Sequence, residues 1–266
     1  MKKRFGSVIA VVMVSVLALT GCGSGGTREQ TTKDDGTVVG GIESGSATAD
    51  LTFLKSDNMC LLAGTYFIGQ DMKAGNYTIK CVDADYGMRV TVFGSESDYQ
   101  SYFSSRRFTV GENNEAIEKY AKNDEYIYKD NDLAVVLSDG DVLEIDGSCI
   151  ATLGGGSSVE PVNTLTIGRG MYEPGDIEPG TYCVTTIESG YSLQFVVFKD
   201  KSAYDAFVAA KPVTNGQYSD EIGNHGLYSL EVLKDQHGFL TIKDGNYLGV
   251  IGEGKAEITK VEMGWK

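Results

Sequence analysis

The sequence predicts a mainly β protein: two tandem small β-sandwich domains, each with one short helix, following a disordered tether. Three observations predict it. "GQDMKAGNYTI" (Gly69 to Ile79) returns as "GDIEPGTYCV" (Gly175 to Val184), so the chain repeats itself. Apolar residues alternate with polar ones in period two, as at Met88, Val90 and Val92 against Arg89 and Thr91. Asp-Gly stands between such runs in "AVVLSDGDVLEI" and again in "FLTIKDGNYLGV", where a tight hairpin turn needs residues that tolerate positive φ.

In chain order, Lys2, Lys3 and Arg4 precede an apolar run from Phe5 to Leu19. That run is short of the roughly 20 residues of a membrane span and has the form of a secretory signal. It ends in "LTGC", Leu19 to Cys22, which resembles the lipobox of bacterial lipoproteins. The resemblance implies a signal peptide over residues 1–21, cleavage before Cys22, and diacylglycerol and palmitate on the Cys22 thiol. It thereby implies attachment to the extracytoplasmic face of the cell membrane.

Removing the three leading cations takes the net charge from −14 to −17. No Lys/Arg cluster is present, which argues against nucleic acid as a partner. Residues 22–50 contain no aromatic side chain and are rich in Gly, Ser and Thr. They are expected to form a flexible tether, because such a segment buries too little apolar surface to offset its ordering entropy.

Two folded copies are expected, residues 51–153 and 160–266, with a linker at 154–159 that includes "GGGSS". An offset of 105 pairs Asp71 with Asp176, Gly75 with Gly180, Tyr77 with Tyr182, Tyr86 with Tyr191 and Tyr99 with Tyr204. Upstream of a one-residue gap, an offset of 106 pairs Gly64, Tyr66 and Gly69 with Gly170, Tyr172 and Gly175. A period this long suits two independent cores rather than a solenoid. "NYTIKCV" and "TYCVTTI" read as equivalent strands. The helix of each copy is expected behind Ser97 or Ser202, with Tyr99, Tyr102 and Phe103, or Tyr204, Phe207 and Val208, as its apolar stripe.

The pattern Y-x-x-G-x-D-I-x-x-G-x-Y, followed closely by the second copy, resembles poorly characterised surface β-sandwich modules. These are often repeated in secreted and lipid-anchored proteins of Gram-positive bacteria. The first copy departs from it, with one extra residue and Asp-Met at Asp71-Met72. The resemblance implies a fold and a location, and no activity.

Residues with chemical potential are few. His225 and His237 fall in a region that reads as loop, and no metalloprotease, serine-hydrolase or phosphate-loop motif is present. Asp83 and Asp85 could act as a carboxylate pair, and Asp130, Asp132, Asp139 and Asp141 could bind Ca²⁺, but turns of an acidic β protein explain them as well. Eight of fifteen tyrosines are paired by the repeat and assigned to the core. Tyr120, Tyr126, Tyr128 and Tyr218 remain as candidates for an exposed aromatic patch.

Four cysteines remain besides Cys22. Cys60 and Cys149 flank the first copy and are expected to form a disulfide there, the alternative being that all four thiols stay reduced. Cys81 is expected in the core, and Cys183, opposite in parity to Tyr182, is expected outward and free. The spacings fit no zinc motif.

The expectation is therefore a non-catalytic envelope protein without cofactor or metal, which binds or scaffolds. Its partners would be the membrane, through the lipid on Cys22, and a cell-wall glycan or another envelope protein. The alternatives are an extracellular hydrolase using a carboxylate pair and a purely structural spacer.

Overall fold

Alternating apolar residues become strands over most of the chain, and the protein is mainly β. The computed structural model describes residues 27–33, 38–44, 49–55, 59–84, 87–106, 110–147, 149–153, 157–210 and 220–265. Of these, the side chains at 55, 59, 82–84, 110–114, 149–153, 157–160 and 263–265 are not described. The signal segment, Cys22, Asp85, Tyr86 and Tyr218 lie outside the described residues, as do the side chains of Asp83 and Cys149.

Three short strands come first: β1 (Thr31–Thr32), β2 (Val38–Val39) and β3 (Ile42–Ser44), then a 3-10 turn at Thr52–Lys55. The first copy runs β4 (Met59–Leu61), β5 (Ala63–Phe67), β6 (Gly75–Ala84), β7 (Met88–Phe93), α1 (Glu96–Ser105) and α2 (Val110–Tyr120). It continues through β8 (Ala121–Ile127), β9 (Asp132–Leu137), β10 (Val142–Asp146) and β11 (Cys149–Leu153). The second runs β12 (Ser157–Tyr172), β13 (Gly180–Ser189), β14 (Ser192–Phe198), α3 (Lys201–Ala209) and α4 (Asp220–His225). It ends with β15 (Tyr228–Leu233), β16 (His237–Ile242) and β17 (Tyr247–Trp265).

The pairings repeat with the sequence. In the first copy β4-β11-β6-β9 form one layer and β5-β10-β7-β8 the other. In the second, β13 pairs β16 and β17 as β6 pairs β9 and β11, and β14 pairs β15 and β17 as β7 pairs β8 and β10. There β12 and β17 are long enough to serve both layers, shifting register between Gly168 and Gly170.

The recurring phrase is a structural device. The Tyr66 hydroxyl accepts from the Leu62 N–H and donates to its carbonyl, and Tyr172 does the same at Gly168. Tyr77 and Tyr182 donate to the carbonyls of Lys73 and Glu178. Gly69 and Gly175 both turn at φ +95°, a conformation glycine adopts without steric cost. Asp71 and Asp176 each accept a backbone N–H of the same turn, from Phe67 and Glu173 respectively.

Several expectations are corrected. Asp139-Gly140 and Asp244-Gly245 form tight turns with φ of +87° and +80° at the glycines, but neither makes a hairpin. β9 and β10 lie in different layers, so the turn carries the chain from one to the other. Among the described residues each copy has two helices instead of one. The N-caps are Ser95 and Asp200, whose side chains accept from Asp98 N–H and Ala203 N–H, two residues ahead of the expected serines. Tyr99, Tyr102 and Phe103 are buried as the spacing requires, and so is Phe207; Val208 is exposed. The expected linker is partly strand, since β12 begins at Ser157.

The cores are not independent. β16 lies parallel to β5, with Gly238 opposite Ala63 and Phe239 opposite Gly64, so one sheet crosses from copy to copy. One apolar cluster joins Phe67, Phe93, Tyr99 and Phe103 to Phe195, Phe198, Tyr228 and Leu240. The other joins Tyr66, Ile79, Cys81 and Leu143 to Cys183, Phe239 and Val261. β13 therefore has both faces covered: Tyr182 and Val184 face the first cluster and Cys183 the second. This overturns the outward placement of Cys183, which is buried because the first copy supplies the cover.

The tether is also corrected where it is described. β3 pairs antiparallel with β12 and β2 touches it in parallel at Met171. Arg28 fastens the segment: its Nη1 lies 2.5 Å from Asp176 Oδ1, its Nε donates to Gly40 O, and its guanidinium stands over the Tyr172 ring. Ile42 is buried in the first cluster. Backbone pairing orders a segment whose side chains could not.

Candidate functional site

β8 edges its sheet in the first copy, and its residues alternate. Ile127 points inward and is buried, so Asp124, Tyr126 and, just past the strand, Tyr128 share the opposite face. Tyr126 and Tyr128 are 49% and 59% exposed, with ring centroids 5.1 Å apart at 66°. Such an edge-to-face pair presents two apolar ring surfaces and two hydroxyls to solvent. Beside it the Arg89 guanidinium grips Asp124 with two 2.7 Å bonds, and Thr91 Oγ1 donates to the same carboxylate at 2.8 Å. These bonds hold the Asp124 carboxyl below its ordinary pKa against the opposing effect of its burial. Arg89 faces Tyr126 across β7 and β8, so the fixed ion pair borders the aromatic platform.

The platform belongs to one copy. By the offset of 105 its counterparts are Glu231 and Leu233. Of the four unpaired tyrosines, the structure brings Tyr126 and Tyr128 together, leaves Tyr120 half-buried against the first cluster, and leaves Tyr218 undescribed. Tyr191 is 71% exposed despite being a repeat-paired residue assigned to the core.

The carboxylate candidates separate. Asp141 is buried, accepting from Ser138 N–H and Lys122 Nζ, while Asp130 sits in a turn at φ +66°. Among the described residues, no group of three or more His, Cys, Asp or Glu could hold a metal ion. Among the described residues, the two carboxylates that burial raises above their ordinary pKa, Asp71 and Glu144, lie in the fold and not in an open cleft. Asp71 joins the copies through Thr241 Oγ1 at 3.3 Å, and Glu144 faces Arg106 at 3.4 Å. No signal in one copy alone could reveal Asp71's partner, which lies 170 residues away.

The histidines are not on loops. His225 ends α4, with its Nε2 3.1 Å from Glu221. His237 begins β16, its Nδ1 2.8 Å from Thr185 Oγ1 and its ring 4.6 Å from that of Phe53. Burial lowers the His237 pKa, so the fold keeps the imidazole neutral at a pH where the unfolded chain protonates it. The stability this gives is full above about pH 6.5 and is lost as pH falls below that value. Thermal melts between pH 7 and 5 should show that loss, and His237→Gln should flatten it. Equal slopes for the two proteins would exclude His237 as the titrating group.

The expected disulfide is not present at Cys60, which is a free, buried thiol with its pKa pushed up to about 12 by burial. Register gives the reason. Cys60 stands opposite Thr152, and Cys149 lies three residues further along β11. That is about 10 Å along a strand, beyond the reach of a disulfide. Cys60 instead lies in the same cluster as Cys81 and Cys183.

No protein-family model and no curated protein matches the chain. Among solved structures it is similar to a cupin 2 conserved barrel domain protein from Leptotrichia buccalis, over 83% of this chain and 89% of that one. The identity is 9% and the TM-score 0.22, a likeness that carries no argument about activity. Among the described residues no helix is long and apolar enough to cross a membrane.

Proposed function

We propose that the chain is a lipid-anchored, non-catalytic protein of the cell envelope whose folded body binds a cell-wall glycan at the Tyr126–Tyr128 platform. One observation carries the reading: two large aromatic residues stand exposed as a pair, beside a fixed Arg89–Asp124 ion pair, in only one of two otherwise equivalent copies. A side chain serving the shared fold would be repeated. Tyrosines bring large, rigid contact area with few torsions to order, and sugar rings offer apolar faces and hydroxyls that match them. The chain's acidity disfavours anionic polymers, so a neutral glycan is the fitting class. The lipid anchor at Cys22 rests on its lipobox-like setting.

The experiment has two arms. Cys22→Ala should block incorporation of labelled palmitate in cells; labelling that persists would refute the anchor. The wild-type body should bind neutral glycans on an array, and Tyr126→Ala/Tyr128→Ala should weaken that binding at least about tenfold without moving the melting temperature. An array with no glycan above background would refute the binding role.

A further inference from the structure

Gly64 and Gly170 occupy equivalent places in the two copies, and at both a foreign backbone crosses at close range. A Cβ on Gly64 would collide with the carbonyl oxygen of Phe239 in β16. A Cβ on Gly170 would lie 2.5 Å from the backbone of Gly40. Each copy therefore carries the same socket, a strand edge whose glycine admits another strand in parallel. In the first copy the second copy fills it, through β16 on β5. In the second, the N-terminal segment fills it, with Val39 opposite Met171 and Gly40 N–H donating to Met171 O.

The other half of the contact is open. β9 is the counterpart of β16, but among the described residues it pairs only with β6 and ends its sheet. Ala134 and Val136 on it are exposed, Val136 at 64%. Its sequence, DLAVVL, has neither the lysine nor the proline that usually blunts a strand edge. The N-terminal filler is slight by comparison: β2 has two residues, and Arg28 Nη2 is buried with no hydrogen-bond partner among the described residues.

We propose that the Gly170 edge of β12 is a docking site for β9 of a second copy of this chain, entered when the N-terminal segment leaves it. The contact repeats between molecules what β16 and β5 make within one, with Ala134 taking the place of Phe239 over the glycine. Main-chain hydrogen bonds supply the attachment, as in strand addition generally. The two surfaces differ, so the contact is head-to-tail and grows into open chains or closes into rings. The N-terminal segment acts as its stopper.

The test uses residues 23–266, which keep every described residue, followed by sedimentation velocity across a range of concentrations. Gly40→Val drives a side chain into the Tyr172 ring, and Arg28→Ala removes the ion pair to Asp176. Wild type should sediment as a monomer, and the double variant as a concentration-dependent series of oligomers. Adding Val136→Lys, or an excess of a synthetic peptide spanning residues 27–44, should return it to monomer. A double variant that stays monomeric at several hundred micromolar would overturn the proposal. So would oligomers that neither Val136→Lys nor the peptide reduces.

Discussion

Valine at position 64 will pull the two copies apart. The colliding group would be the Phe239 main-chain carbonyl, which no side-chain rotation can move, so β5 and β16 must separate to admit a Cβ. With them goes the packing of Phe239 against Tyr66, whose rings meet edge-on at 6.0 Å. The expected loss is about 4 kcal/mol or more, at the upper end for single substitutions. For a chain of this size that is a fall of about 10 °C in melting temperature. Gly140→Val is the control, because its Cβ would meet nothing within 4 Å. It should cost only the strain of a left-handed backbone, about 1–2 kcal/mol. Equal melting temperatures for the two variants would show that the seam between copies contributes little.

The second large effect is Tyr182→Ala. Tyr182 is 2% exposed in the first cluster, and its hydroxyl donates to Glu178 O at 2.6 Å. Removing a buried aromatic costs about 3–5 kcal/mol. Tyr182→Phe keeps the ring and forfeits one hydrogen bond, about 0.5–1.5 kcal/mol. Calorimetry of the three proteins separates ring from hydroxyl. An alanine variant melting with wild type would place the ring at the surface and reopen a binding role for the repeated tyrosines.

The repeat was legible because it is written in residues that make turns. Gly69, Gly175, Tyr66 and Tyr172 recur since the same backbone turn recurs, and the strand pairings follow the same offset. What joins the copies was not legible. Gly64 and Gly170 stood out only as a repeated pair, and nothing local says that another strand passes over them. Parity misplaced Cys183 for the same reason, because a strand alternation marks one covered face and here a neighbouring copy covers the other. The second helices were missed: α2 contains Gly111, Asn113 and Asn114, and α4 is short and contains a glycine, so neither carries strong helix propensity. Of the site, the sequence singled out Tyr126 and Tyr128 by their lack of repeat partners. It could not show their contact with each other or the Arg89–Asp124 pair beside them.

The N-terminal segment also sets a height. With a lipid on Cys22, as proposed, and Arg28 fastened to Asp176, only residues 23–27 lie between the bilayer and the body. Five residues reach about 17 Å when fully extended. The body then rides close to the headgroups, and its net negative charge is brought nearer to the screened field of anionic lipids. Freeing residues 28–50 lengthens the leash to about 95 Å of contour, and to about 30 Å as a relaxed coil. Release of that one segment would lift the Tyr126–Tyr128 surface away from the membrane and outward into the wall.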